Sequence, residues 1–259
     1  MKYSLIIYLL IFLYIFKNID ADDKAYNVSL SNIEPDSIQK ILNKCAEFTG
    51  FVLDKSEQGD YKVNLVLALQ DTSNVLLYSL INNRQAWSIK YNHVSYRYIR
   101  NSKGDSSDCI RDFDVFIDVE NGNFLKAISR STDSITLMHN PWKDISGEPN
   151  NDPKKYNFQL LNQFPSVKLL DALKIIKKKL RNPKEITAYL LKYKYKKEPK
   201  PSWVVDDPIW CIVSKDYIIV PDSLNQDKIY PSVDWYYIDA LTGKNLISIS
   251  CNKLPNAPK

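Results

Sequence analysis

Two segments of the chain carry apolar residues at the spacing of an amphipathic helix. The first begins at Asp36 or Ser37, either of which can cap a helix, and the second spans 166–180 and is closed by Pro183. The apolar positions are Ile38, Ile41, Leu42, Cys45 and Phe48 in the first segment and Leu169, Leu170, Leu173, Ile176 and Leu180 in the second. Each helix can bury only one stripe, so each needs a sheet to pack against.

Alternation of apolar and polar residues predicts strands after each helix. In residues 186–196 one face is aromatic and apolar and the other is basic, which is typical of a half-buried strand. The first face holds Tyr189, Leu191, Tyr193 and Tyr195, and the second holds Lys192, Lys194 and Lys196. Residues 61–70 are the counterpart after the first helix, and the segments around Trp87 and Trp210 predict the next strand of each half.

A motif of the sequence occurs twice. VFIDVENGNFLKAISR at 115–130 and YYIDALTGKNLISISC at 236–251 align without a gap at an offset of 121 residues. The identical pairs are Ile117/Ile238, Asp118/Asp239, Gly122/Gly243, Leu125/Leu246, Ile128/Ile249 and Ser129/Ser250. A repeat at about half of the chain length indicates one small fold used twice.

Each copy of the motif predicts a β-hairpin. Asp118 and Asp239 come just before the turns, where a carboxylate can accept bonds from nearby backbone N–H groups. Gly122 and Gly243 supply the positive φ that such turns need. We therefore interpret these four residues as structural turn residues, in preference to catalytic ones.

Composition divides the chain further. Lys2 precedes an uncharged apolar run at 3–16, which fits a secretory signal with cleavage after Ala21, and an uncleaved N-terminal anchor is the alternative. Either segment predicts a protein that is secreted or held in the periplasm or cell envelope. A stretch rich in Pro, Asn, Asp and Gly predicts a linker. The expected parts are the signal peptide or anchor at 1–21, a first module at 22–143, the linker at 144–155 and a second module at 156–259.

The second copy resembles a known family. WYYIDALTGKNLISI at 235–249 and the helix LLDALKIIKK at 169–178 resemble the PepSY domain, which is found in propeptides of secreted metallopeptidases and in bacterial envelope proteins. The first copy departs from the family pattern at Glu120 and Asn121, where the family has Leu-Thr. The resemblance implies an α+β fold of two tandem modules, each an amphipathic helix on an antiparallel sheet. It also implies binding or restraint of another protein, without catalytic residues.

Positive charge is concentrated in residues 167–200, which hold 12 Lys or Arg against Asp171, Glu185 and Glu198. This segment has a net charge of +9 while the whole chain has +5. A solvated face of a helix and a strand is one interpretation, and a surface for an acidic partner or an anionic membrane is the other. For an exported protein, nucleic acid is not an expected ligand, and membrane contact is expected only through the N-terminal segment or this basic face.

Large aromatic residues near the basic stretch are candidate anchors for a protein partner. The candidate partner-binding residues are Trp203, Trp210, Tyr193, Tyr195, Lys194 and Lys196. An oxidising compartment also permits disulfides among Cys45, Cys109, Cys211 and Cys251. If each repeat folds alone, Cys45 pairs with Cys109 and Cys211 with Cys251; buried thiols are the alternative.

Recognised catalytic chemistry is absent from the sequence. No GxSxG elbow, HExxH helix, P-loop or dinucleotide fingerprint occurs, and His93 and His139 have no metal-ligand spacing to other residues. We expect a non-enzymatic, PepSY-type binding protein without metal or cofactor, which restrains or regulates a secreted peptidase. The alternative is a structural envelope protein that holds an anionic surface through residues 167–200, and an exported hydrolase is the third hypothesis.

Overall fold

A computed structural model describes residues 35–51, 63–66, 69, 80–99, 106–131, 156–161, 163–176, 180, 183–195, 199, 202, 204–220 and 228–252. The predicted signal segment at 1–21 and the predicted linker at 144–155 lie outside these residues. The described helices are α1 (Pro35–Thr49) and α2 (Leu169–Ile175). The described strands are β1 (Val63–Val66), β2 (Ala86–Ile99), β3 (Ser106–Asp118), β4 (Phe124–Arg130), β5 (Tyr156–Leu160), β6 (Glu185–Tyr195), β7 (Ile209–Val220), β8 (Lys228–Asp239) and β9 (Asn245–Asn252).

The strands form one antiparallel sheet in the order β1-β2-β3-β4-β6-β7-β8-β9. β4 and β5 share one edge of β6: Arg130 of β4 lies opposite Glu185, and Leu160 of β5 lies opposite Leu191. The sheet therefore runs without interruption from the first half of the chain into the second. The architecture is α+β and dominated by the sheet, as the periodicity predicts.

The turns that follow Asp118 and Asp239 project from the same end of the sheet. In β8, Asp239 lies opposite Ile209, which in turn lies opposite Leu191 of β6. β4 runs antiparallel to β6, with Arg130 opposite Glu185 and Ala127 opposite Ala188, so the start of β4 lies toward the Leu191 end of β6. We call this end of the sheet, with the two turns, the turn end.

One hydrophobic core lies between the sheet and the two helices. Its members come from both halves of the chain, including Phe48 of α1, Leu173 of α2 and Trp210 of β7. The two predicted amphipathic stripes are thus buried on the same face of the sheet. Shared burial on one face makes α1 and α2 part of the same packing unit.

The opposite face of the sheet is also apolar. Tyr189, Trp235 and Tyr237 belong to a second buried cluster, and Ile81 and Val204 pack into it from segments outside the strands. The prediction of a half-buried strand at 186–196 is wrong for the first half of β6, where residues on both faces are buried. The cause is the second layer of apolar residues, which strand alternation alone does not reveal.

Candidate functional site

The two turns have the same hydrogen-bond geometry. Asp239 Oδ1 accepts bonds from the backbone N–H groups of Leu241 (2.8 Å) and Thr242 (3.1 Å), while the Gly243 N–H donates to the Asp239 carbonyl (2.8 Å). In the first copy, Asp118 Oδ1 accepts bonds from the backbone N–H groups of Glu120 (2.8 Å) and Asn121 (3.3 Å). This is the geometry expected of turn residues.

Both turn glycines have backbone conformations that favour glycine. Gly122 has φ +68° and Gly243 has φ +76°. A Cβ atom added to Gly122 would meet the Lys44 side chain of α1, and one added to Gly243 would lie 3.1 Å from Cδ1 of Ile175 in α2. Each turn is therefore packed directly under one of the helices.

The two aspartates differ in their second interaction. Asp118 is buried and its Oδ2 accepts a 2.6 Å bond from the Arg84 guanidinium. Burial alone would raise the pKa of the Asp239 carboxyl, but the backbone N–H groups of Leu241 and Thr242 bring that pKa below its ordinary value. A carboxylate stabilised in its ionised form by turn N–H groups is poorly suited to proton transfer near neutral pH.

Trp210 and Tyr193 are core residues, so their predicted role as partner anchors is wrong. Trp210 is fully buried, donates its indole N–H to the Val167 carbonyl at 2.6 Å and packs edge-on against Phe124. Tyr193 is buried on the opposite face, with its ring 4.6 Å from that of Phe158. Both faces of the sheet are covered, which leaves neither ring available to a partner.

The remaining predicted anchors are not brought together by the described residues. Lys194 and Tyr195 end β6, where their backbones lie opposite Asn157 and Tyr156 of β5. Trp203 and Lys196 lie outside the described residues. The predicted partner-binding set therefore does not form a site in the described part of the chain.

The expected disulfide between Cys211 and Cys251 is not formed. Cys211 lies opposite Tyr237 of β8, and Cys251 lies opposite Val233 of the same strand. Two strand spacings and four residues of extended chain put the two Cα atoms roughly 16 Å apart, against an upper limit of about 7 Å for a bridge. The register of β7, β8 and β9 excludes this pairing.

Cys45 and Cys109 are not joined by a disulfide either. Cys45 is buried beside the Tyr91 hydroxyl, and Cys109 is buried beside the hydroxyl of Tyr96. Burial raises the pKa of Cys45 to about 12 and also raises the pKa of Tyr91. A buried thiol with so high a pKa is inert as a nucleophile at neutral pH.

Three large apolar side chains are exposed near the turn end: Phe164 (44%), Ile175 (40%) and Leu241 (36%). Leu241 lies inside the second turn, and Ile175 contacts that turn at Gly243. Phe164 precedes α2, and its ring lies 4.8 Å from that of Phe48. We call these three residues the turn-end surface. None of the three is among the partner-binding residues predicted from the sequence, although Leu241 lies in a turn that is otherwise polar or small.

Part of the basic stretch is locally neutralised. Lys168 lies 3.5 Å from Glu47 of α1, and Lys174 lies 2.9 Å from Asp171. Exposed pairs of this kind add little stability, but each lowers the local positive charge. Asp171 is already counted in the net charge of +9, so Glu47 of α1 is the neighbour that makes this surface less basic than that figure.

His93 occupies an irregular position in β2. The register of β2 and β3 shifts between Tyr91 and Val94, and His93 has φ +56°. Its backbone N–H donates to Asp112 Oδ1 at 3.1 Å, and the residue is exposed. The backbone bulge accounts for this conformation, and His139 lies outside the described residues.

Within the described residues, no group of three or more His, Cys, Asp or Glu side chains is placed to hold a metal ion. Neither α1 nor α2, the helices of the described part, is long and apolar enough to cross a membrane. Comparison with protein-family models, with curated proteins and with solved structures gives no match for this chain.

Proposed function

We propose that this chain is an exported, non-enzymatic binding protein, built of two tandem PepSY-like modules, that restrains a secreted peptidase. The first module, at 22–143, contains α1 and β1 to β4, and the second, at 156–259, contains β5, α2 and β6 to β9. In the described residues a helix followed by four strands occurs in both modules, with β5 as an additional strand at the start of the second. This shared order supports the division, and so do the matching hydrogen bonds of the two turns.

Binding is favoured over catalysis by the roles of the two repeated aspartates. Asp118 is engaged by Arg84 and by its turn, and Asp239 is engaged by its own turn. The most conspicuous pair of carboxylates in the sequence is thus used for structure. An exported hydrolase would need a catalytic group elsewhere in the chain.

The observation that carries the proposal is the turn-end surface. Large aromatic residues on both sheet faces, such as Trp210 and Tyr237, are buried. Phe164, Ile175 and Leu241 keep more than a third of their surface exposed. Covering each of these half-exposed side chains would contribute about 1 kcal/mol to binding, given the usual value per unit of apolar area. Apolar anchors of this kind suit a protein partner.

The alternative function is a structural envelope protein that holds an anionic surface through residues 167–200. The ion pairs of Lys168 and Lys174 argue for the peptidase-restraining function instead, because both lysines already have acidic neighbours. Salt distinguishes the two functions. Binding that collapses as ionic strength rises would favour the alternative, whereas apolar contact is insensitive to screening.

The test uses peptidases secreted by the organism that makes this protein, assayed on labelled casein with the full chain added. We expect inhibition that is complete near equal molar amounts of chain and peptidase. Leu241→Asp places a charge in the apolar surface and should weaken inhibition by about tenfold or more.

The matched control is Ile110→Asp. Ile110 is the most exposed large apolar residue in the described part of the chain, at 61%, but it lies on β3 about 27 Å along the strand from Asp118. The Ile110→Asp variant should inhibit the peptidase as strongly as the wild-type chain does. An equal loss of inhibition in both variants contradicts the proposal. The proposal is also contradicted if the wild-type chain inhibits none of these peptidases.

A further inference from the structure

The last strand of the sheet, β9, has the properties of an edge that receives another strand. It is eight residues long and pairs with β8 on one side, and no described strand follows it in the sheet order. Its sequence, NLISISCN, contains no charged residue and no proline. Soluble proteins usually protect long edge strands with such residues, because the backbone edge is otherwise a template for pairing.

The counterpart of β9 in the first half already pairs in this way. The offset of 121 residues aligns β9 with β4, and the outer edge of β4 pairs with β6. Charges mark that internal junction, where Arg130 lies 3.3 Å from Glu185. At the position equivalent to Arg130, β9 has Cys251. The edge of β9 therefore has no charge that would select a charged partner.

We propose that β9 pairs antiparallel with β9 of a second copy of this chain, which continues the sheet across a two-fold axis. An axis perpendicular to the sheet keeps every side chain on its own face, so one residue must lie opposite itself. With Ile249 on the axis, Ile247 lies opposite Cys251 of the second copy. Apolar residues then face apolar residues along the whole stripe.

This register extends a surface that the monomer already has. Ile247 lies opposite Tyr237 and Ile249 lies opposite Trp235, and both isoleucines pack against the second buried cluster. Pairing across the axis would cover the outer sides of these half-buried isoleucines. Cross-strand pairs of apolar β-branched residues stabilise antiparallel sheets.

A second copy's β9 fits better than its β1. β1 offers only the four residues Val63–Val66, whereas β9 offers eight. A β9-to-β1 contact would also be head-to-tail, so it would build a ring of several copies or an open chain of copies, depending on the rotation between them. The isologous pair closes at two copies and uses the longer strand.

One strand pair is a small interface, so the dimer should be weak and concentration-dependent. The test measures mass by sedimentation velocity at about 100 µM protein, where a micromolar contact is populated. The wild-type chain should have twice the mass of one copy. Ile249→Lys and Ile249→Glu should each give single copies, since like charges then face each other on the axis.

Mixing the two charged variants in equal amounts should restore the double mass, because opposite charges then meet across the axis. Ile110→Lys is the matched control, placed on an exposed isoleucine outside β9, and should remain double. A wild-type mass of one copy overturns the proposal, and so do a double mass in both charged variants or masses above two copies.

A covalent test decides the matter if the charged variants fail to fold. The double variant Ile249→Cys with Cys251→Ser should form a disulfide-linked dimer on mild oxidation, because residue 249 faces itself. Absence of that dimer in folded protein overturns the proposal. Leu241→Asp should keep the wild-type mass, which separates failure of this inference from failure of the proposed function.

Discussion

The Asp239 carboxylate is held in its ionised form by the turn that it closes. Its Oδ1 accepts two backbone N–H bonds, and these donors lower the pKa of the group against the opposing effect of burial. A residue with this role links local sequence to the fold, because the turn fixes the register at which β8 meets β9. The structural role of the repeated motif therefore follows from this one carboxylate.

We expect Asp239→Ala to lower the free energy of unfolding by about 1–3 kcal/mol, because it removes the charged acceptor of two part-buried backbone N–H bonds. Asp239→Asn keeps an oxygen acceptor and should lose less. The folded pKa is lowered, so the stabilisation exists above the unfolded value of about 3.9 and is lost as pH falls through the folded pKa. Urea unfolding at neutral and acid pH should show the wild type losing its advantage over Asp239→Asn in acid.

Asp207→Asn is the control for this prediction, because Asp207 is exposed. It should unfold with the wild-type midpoint at neutral pH. A wild-type midpoint for Asp239→Ala as well would contradict the turn role.

The sequence predicts the role of a residue whose contacts lie close to it along the chain. It does not predict the role of a residue whose contacts are distant in the sequence. The turn roles of Asp118 and Asp239 depend on atoms within a few positions along the chain. The burial of Trp210 depends instead on Phe124 and Val167, and that of Tyr193 depends on Phe158. No pattern around Trp210 or in 186–196 indicates those contacts, so these two predicted anchor residues belong to the buried clusters.

At the scale of helices and strands, charged groups stabilise the region where β4 meets β3 and β6. Glu185 at the start of β6 lies 2.6 Å from Lys215 of β7 and 3.3 Å from Arg130 of β4. Arg111 of β3 is buried and donates to the Ser129 hydroxyl at 2.8 Å and to the carbonyl of Pro183. The contacts of Arg130 with Glu185 and of Arg111 with Pro183 cross the boundary between the two halves of the chain.

We expect Glu185→Gln to destabilise the fold by about 1–3 kcal/mol at neutral pH, because Lys215 loses a partly buried charged acceptor. Burial would raise the pKa of Glu185, but Lys215 and Arg130 outweigh it and lower the pKa. The stabilisation is therefore present above the unfolded value of about 4.3 and is lost as pH falls through the folded pKa. Thermal unfolding from pH 7 to pH 3 should show the wild-type and Glu185→Gln curves converging in acid.

Glu120→Gln is a suitable control, since Glu120 is exposed in the first turn. Its unfolding should follow the wild-type curve throughout. Parallel curves for the wild type and Glu185→Gln across the whole pH range would rule out the carboxylate as the group that titrates.

The order of the helices and hairpins could be predicted from the sequence, whereas the burial of both faces of the sheet could not. The helix predicted at 36–48 corresponds to α1, and the two hairpins follow from the doubled motif. The second apolar layer could not be predicted, because residues such as Ile81 and Val204 reach it from segments outside the strands. A strand with one face of tyrosines and another of lysines looks half-buried until such segments are placed.

For the whole molecule, the repeated sequence and the continuous sheet imply different folding behaviour. A repeated sequence suggests two modules that fold separately, whereas the structure has one sheet and one helix-side core with members from both halves. Ile89 of the first half and Ile212 of the second half are both fully buried in that core. Shared burial couples the stability of one half to that of the other.

We therefore expect the full chain to unfold in a single cooperative transition. Ile89→Ala and Ile212→Ala each leave a cavity in the shared core and should each lower the free energy of unfolding by about 2–5 kcal/mol. Because the core is continuous, both variants should shift the same transition, seen at one midpoint by far-ultraviolet circular dichroism and by tryptophan fluorescence. Ile110→Ala, at an exposed isoleucine, should leave that midpoint in place. Two separate transitions, each shifted only by the variant in its own half, would show that the two repeats remain independent folding units despite their common sheet.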